Sequence, residues 1–165
     1  MSRVFLLVSL ICVALARAAD QSSLGFYIVS EDARPGLRFI DSAALPKVGY
    51  VATKSDLAIT QLEAVSVDTY HDRSRLIHKD GSVEQTNEDR PALDIRLTAA
   101  DAKLLGQLTS AHLGSRLLFM AGNDPISAPM IRAPINTQDV QIALPAGTDA
   151  EKLKANLQTF VRKPQ

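Results

Sequence analysis

Three histidines are the side chains in this 165-residue chain whose positions suggest metal or proton chemistry. His71-Asp72 and His78-x-Asp80 set imidazoles beside carboxylates. Both lie in a strongly polar run from His71 to Arg90, however, and their spacing fits no compact metal set with fixed geometry. They read as solvated loop residues, and no metal site is expected. His112 falls near a predicted helix end, where the helix dipole favours its protonated form and stability alone accounts for it.

Nucleophiles are as sparse. Ser127 stands between Ile126 and Ala128 and reads as an edge-strand hydroxyl, and no G-x-S-x-G elbow exists. Scattered glycines form no phosphate loop. The acids between Asp80 and Asp89 lack the central Gly and terminal Glu of a calcium loop. Paired carboxylates for glycoside chemistry would have no Trp to stack a sugar. No cofactor is expected. With 18 basic and 18 acidic residues the net charge is zero, which argues against nucleic acid as a partner. A small hydrolase with carboxylates that the sequence does not place is the remaining enzymatic alternative.

The N-terminus reads as an export signal. Arg3 precedes an apolar run from Val4 to Ala16, and Ala16-Arg17-Ala18 offers small residues for cleavage after Ala18. Thirteen residues fall short of the roughly 20 that span a bilayer, so an uncleaved anchor is the lesser reading. Cys12 as a lipid-attachment site would need a small residue where Ile11 stands. Residues 1–18 are therefore expected to be a signal peptide and residues 19–165 a single exported, cysteine-free domain without a stable membrane span.

The elements that would position any site follow from period and punctuation. Gly25–Ser30 is a predicted strand closed by Pro35-Gly36, with short strands at Leu37–Ile40 and Val48–Ala52. Asp56–Leu62 is compatible with a helical turn, and Val65 and Val67 alternate with polar residues. The His71–Arg90 run is expected to be a surface excursion turned at Asp80-Gly81 and ended by Pro91. Leu93, Ile95 and Leu97 share one face of the next strand.

Thr98-Ala-Ala-Asp101 opens a helix as a capping-box variant; Leu104, Leu105, Leu108 and Ala111 form its apolar stripe, and Gly114 its left-handed end. Arg116–Ala121 is a strand whose hairpin partner, Ile126–Ile131, follows a Gly122–Pro125 turn. Pro129 and Pro134 donate no ladder hydrogen bonds, so that partner belongs at an edge or carries a bulge. Val140–Leu144 is the last strand. Thr148–Glu151 caps a helix with Ala150, Leu153, Leu157, Phe160 and Val161 on one face. The fold class is α+β, an antiparallel-dominated sheet with two amphipathic helices packed on one face.

The run Leu93–Leu105, with Leu108-Thr109 and Gly114–Leu117, resembles the head subdomain of the first periplasmic domain of SecD and SecDF. Ile126-Ser-Ala-Pro-Met-Ile131 followed by Ala133-Pro-Ile135 is similar to that family's Ser-Ala-Pro-x-Ile segment closed by Pro-Ile. Lys54–Val67 and Thr148–Leu157 extend the resemblance to about residues 56–160. Departures are the Gly122–Pro125 turn in place of Asp-Gly, missing glycines around Val140–Leu144, and an insertion-like His71–Arg90. No membrane-spanning helices follow, so the resemblance implies the head without the proton-driven motor.

That resemblance implies a non-enzymatic binding module linked to protein export, which holds a polypeptide or partner protein by strand addition or a shallow apolar groove. The partner classes it leaves open are a translocating chain, an assembly factor, and a toxin held by an inhibitor of immunity type. Ile126, Ser127, Met130 and Ile131, on the proline-interrupted segment, are the residues expected to touch it; the alternative, strongest for Ile131, is that they pack under the two helices.

Overall fold

The computed structural model describes residues 23–77, 80 and 82–162; the expected signal peptide, Cys12, His78 and Gly81 lie outside them. In chain order the elements are β1 (Leu24–Val29), β2 (Leu37–Ile40), β3 (Gly49–Ala52), β4 (Leu57–Ile59), β5 (Leu62–Ile77), β6 (Val83–Leu97), α1 (Ala99–Ala111), β7 (Arg116–Ala121), β8 (Asp124–Ser127), β9 (Asp139–Ala143) and α2 (Ala150–Leu157). The class is α+β with antiparallel pairing throughout the named ladders.

The strands divide among three sheets, ordered β4-β1-β7-β8, β2-β3 and β5-β6-β9. Period-two geometry explains why β1 and β7 are apolar at nearly every position. Leu24, Phe26, Leu117 and Phe119 face one buried cluster, shared with β5, β6, β9 and both helices. Tyr27, Val29, Leu118 and Met120 face another, closed by Ile40, Val48 and Val51 of the β2–β3 region. Phe26 and Phe119 lie across from each other in register with ring centroids 4.9 Å apart. Burying a side chain such as Phe119, 2% exposed, is worth about 1.5–3 kcal/mol.

Residues 57–59 form an edge strand and no helical turn, because Leu57 and Ile59 alternate inward against β1. The polar excursion is a surface hairpin, as expected, and its limbs are regular strand where solvated loop residues were expected. It is the outer part of a long hairpin in which β5 and β6 remain in register from Ala64↔Arg96 to Ile77↔Val83. Strand β9 pairs only with Ala92–Arg96, so the hairpin projects beyond it as a two-stranded arm roughly 25 Å long. At its tip Asp80 accepts the Ser82 amide at 2.9 Å and the Ser82 hydroxyl at 2.6 Å.

Pro91 does not end the excursion but sits inside β6 opposite Thr69. Its carbonyl accepts the Leu144 amide at 2.8 Å. A strand residue directs its N and O to the same side, so the missing amide falls on the β9 flank and not in the β5 ladder.

The start of α1 follows the capping expectation with one change. Thr98 Oγ1 accepts the Asp101 amide at 3.1 Å, but the Asp101 carboxylate takes the Thr98 hydroxyl at 2.8 Å instead of reaching the backbone. Gly114 has φ +84°, the left-handed conformation expected beyond the helix. The buried face of α1 is Ala102, Leu105, Gly106 and Thr109, while Leu104 and Ala111 are exposed. Small residues face inward because residues 135–136 lie directly on this helix. A Cβ on Gly106 would overlap Asn136 Oδ1. Helix α2 is capped by Asp149, whose carboxylate accepts the Lys152 amide at 2.9 Å, and not by Thr148.

Candidate polypeptide-binding surface

Strand β8 ends the four-stranded sheet and carries a register shift against Phe119/Met120, next to its one proline, Pro125. The chain then continues along β7: Leu117 N donates to Pro129 O at 2.8 Å, Ile131 N to Ser115 O at 2.8 Å, and Gly114 N to Ile131 O at 2.9 Å. Arg116 straps this segment from beside it, its Nε on Ala128 O at 3.1 Å and its Nη1 on Val48 O at 3.0 Å. The backbone of residues 127–131 is thus held rigidly.

That rigidity sorts the four residues expected to touch a partner. Ile126 and Ile131 are buried in the larger cluster. Ser127 is buried as well, its hydroxyl donating to Ala143 O at 2.8 Å and tying β8 to the end of β9. Contact through these three would require the fold to open, since they are turned inward. Met130 is different: it is 57% exposed. Leu113, 56% exposed, precedes the glycine that bonds Ile131 and adds a second apolar side chain at this end of the sheet. Sequence reasoning missed Leu113, although an apolar residue directly before a helix-ending glycine was its available signal.

The outer flank of β8 is narrower than a bare edge. A groove of about 230 Å³ separates Pro125 and Ile126 from Pro145, Thr148 and Leu153. A wider cleft of about 640 Å³ runs between the β7–β8 turn and α2.

The histidines do not converge. His71 Nδ1 lies 2.6 Å from Asp89 Oδ1 on the exposed arm, and His112 Nδ1 lies 2.9 Å from Leu108 O on α1. Among the described residues no three metal-ligating side chains gather at one point. Two carboxyls do meet, on the outer face of β5-β6-β9. Burial raises the Asp94 pKa; Gln141 opposes this by hydrogen bonding, while Asp68, then Asp139, push it further up. Gln141 Nε2 also donates to Asp68 Oδ2 at 3.4 Å. Arg96 is turned toward Glu63 and Asp139, 3.2 and 3.6 Å away.

No family description and no curated protein matches the chain. Solved structures do match in fold. SecDF, a membrane component that enhances protein export, aligns at a TM-score of 0.50 over 89% of this chain and 64% of its own, with 17% identity. SecDF in a super-membrane-facing form aligns at 0.50 over 87% of this chain and 19% of its own, with 19% identity. The chain thus spans less than two-thirds of either SecDF chain. At these identities the likeness is one of fold, and it agrees with the resemblance in the α1 and Ser-Ala-Pro segments. Among the described residues no helix is long and apolar enough to cross a membrane.

Proposed function

We propose that this protein is an exported, non-enzymatic binding module that holds a polypeptide or partner protein, in work linked to protein export. The observation that carries the reading is Met130: an exposed, unbranched apolar side chain on a backbone locked by Arg116 and β7. Methionine adapts its shape to varied apolar partners, and a rigid mount spares the ordering entropy that a flexible loop would lose on binding. Leu113 is a second exposed apolar side chain beside the Gly114–Ile131 bond. The SecDF-like fold supports the link to export, and the apolar run closed by Ala16-Arg17-Ala18 supports the exported location.

The test is Met130→Asp in the full mature chain, read by binding of a labelled, unfolded export precursor and by thermal melting. The expected result is at least about a tenfold loss of affinity with the melting temperature little changed. Unchanged affinity, or unfolding without a selective binding defect, would overturn the contact role of Met130.

A further inference from the structure

The β2–β3 hairpin lies over the Tyr27, Leu118 and Met120 face of the central sheet. Its inward residues are Ile40 and Val51 together with one exception, Arg38, which lies opposite the fully buried Val51. The guanidinium is held only softly: Nη2 lies 3.7 Å from Met120 Sδ, and Cζ stands 5.9 Å from the Tyr27 ring centroid. Its Nε is buried without an acceptor, and among the described residues no carboxylate pairs with it. A guanidinium donates two parallel hydrogen bonds to a carboxylate, and among the described residues no carboxylate accepts them here.

The open edge of β2 stands directly beside this cation. Tyr50 uses both its amide and its carbonyl on Ser30 of the β1 end, at 2.9 and 2.8 Å. Those groups therefore point away from β2, which makes Phe39↔Tyr50 the pair without mutual ladder bonds. The close ring contact, 5.0 Å between centroids, fits such a pair. It follows that the amide and carbonyl of Phe39 face the outer edge of β2, where no described strand pairs. The Phe39 ring is 50% exposed on the outer face. Around this hairpin Arg34 pairs with Asp32 at 3.6 Å, while Arg38, Lys47 and Lys54 face one further acid, Asp41, within residues 34–54.

We propose that β2 is a strand-addition site for an extended partner segment in which acidic and apolar residues alternate. The residue opposite Phe39 bonds its amide and carbonyl and lays an apolar side chain beside the Phe39 and Tyr50 rings. The residues before and after it turn inward, where a carboxylate meets the Arg38 fork. This surface is separate from Met130 and extends the binding reading above.

The test uses the mature chain and two synthetic octapeptides, one alternating valine with glutamate and one alternating valine with lysine. Affinity is read by fluorescence anisotropy and the site by amide exchange. Expected are binding of the glutamate peptide, protection of the Phe39 amide, and at least about a tenfold loss in Arg38→Met. Protection of the Phe39 amide reports this site and loss of precursor binding in Met130→Asp reports the other, so each reading fails by its own measurement. Should Arg38→Met not fold, Phe39→Pro takes its place, since it deletes the outward amide and leaves the β3 ladder intact. Equal binding of the lysine peptide, protection confined to other strands, or full binding by the folded variant would overturn the proposal.

Discussion

The buried hydroxyl of Thr109 joins two distant parts of the chain: it accepts the Ile135 amide at 2.9 Å and donates to Leu105 O at 2.8 Å. The Pro134-Ile135 pair that closes the Ser-Ala-Pro segment is thereby pinned to α1. Thr109→Val keeps the shape but leaves the Ile135 amide without its acceptor. Urea unfolding should show a loss of roughly 1–3 kcal/mol, against a small loss for Thr109→Ser. Equal stability of Thr109→Val and the parent would show that this bond contributes nothing.

Gly106 lies one turn earlier under the same loop. Glycine to alanine inside a helix ordinarily stabilises by about 1 kcal/mol. Here the new methyl would overlap Asn136 Oδ1 and sit 3.3 Å from Ile135 O. Gly106→Ala should therefore lower the melting temperature, and adding Asn136→Ala should restore it to or above the parent value. A single variant more stable than the parent would show that the loop yields easily.

Asp94 sets a pH dependence whose sign is fixed by its raised pKa. The folded chain holds the Asp94 proton more tightly than the unfolded chain, whose carboxyl titrates near 3.8. The contribution is fully present below that value and is lost as pH rises through the folded-state value. At neutral pH Asp94→Asn removes like-charge repulsion with Asp68 and should stabilise by roughly 0.2–1 kcal/mol. As pH rises through the acid range, the variant should also be spared the loss of stability that the parent shows at Asp94, so its curve should climb more, or fall less, than that of the parent. An Asp94→Asn variant less stable than the parent at neutral pH would contradict the assignment.

The arm should be dispensable for folding. Replacing residues 73–87 with an asparagine-glycine turn joins Asp72 to Glu88, which already face each other in register. Loop-closure entropy changes slowly with length, so stability should stay within about 1 kcal/mol. Loss of the folded state in circular dichroism would reveal that the arm supports the core.

Local chemistry alone determined much of this fold. Thr98 and Gly114 bracket α1 because a hydroxyl cap and a left-handed turn are properties of a few adjacent residues. Strand β7 was legible at its observed bounds, and Pro129 and Pro134 pointed to an edge or a bulge in its partner, which is an edge strand. Period two in Leu93, Ile95 and Leu97 identified the buried face of β6.

What only the tertiary structure decided is which face each apolar residue turns to and what covers it. The helix face of α1 shifted toward Ala102, Gly106 and Thr109 because a loop from much later in the chain lies on it, and no local pattern encodes that contact. The polar stretch of β5 and β6 became strand because paired, core-anchored ends extend the ladder through residues of weak strand preference. Ile126, Ser127, Met130 and Ile131 stand on one proline-interrupted segment, yet packing buries three and exposes one. Nothing in the local sequence sets Arg38 apart, and only the stacking of the β2–β3 hairpin on Tyr27 and Met120 turns it inward. Alternation states that neighbours point to opposite sides; the sheet that packs on each side determines which of them is buried.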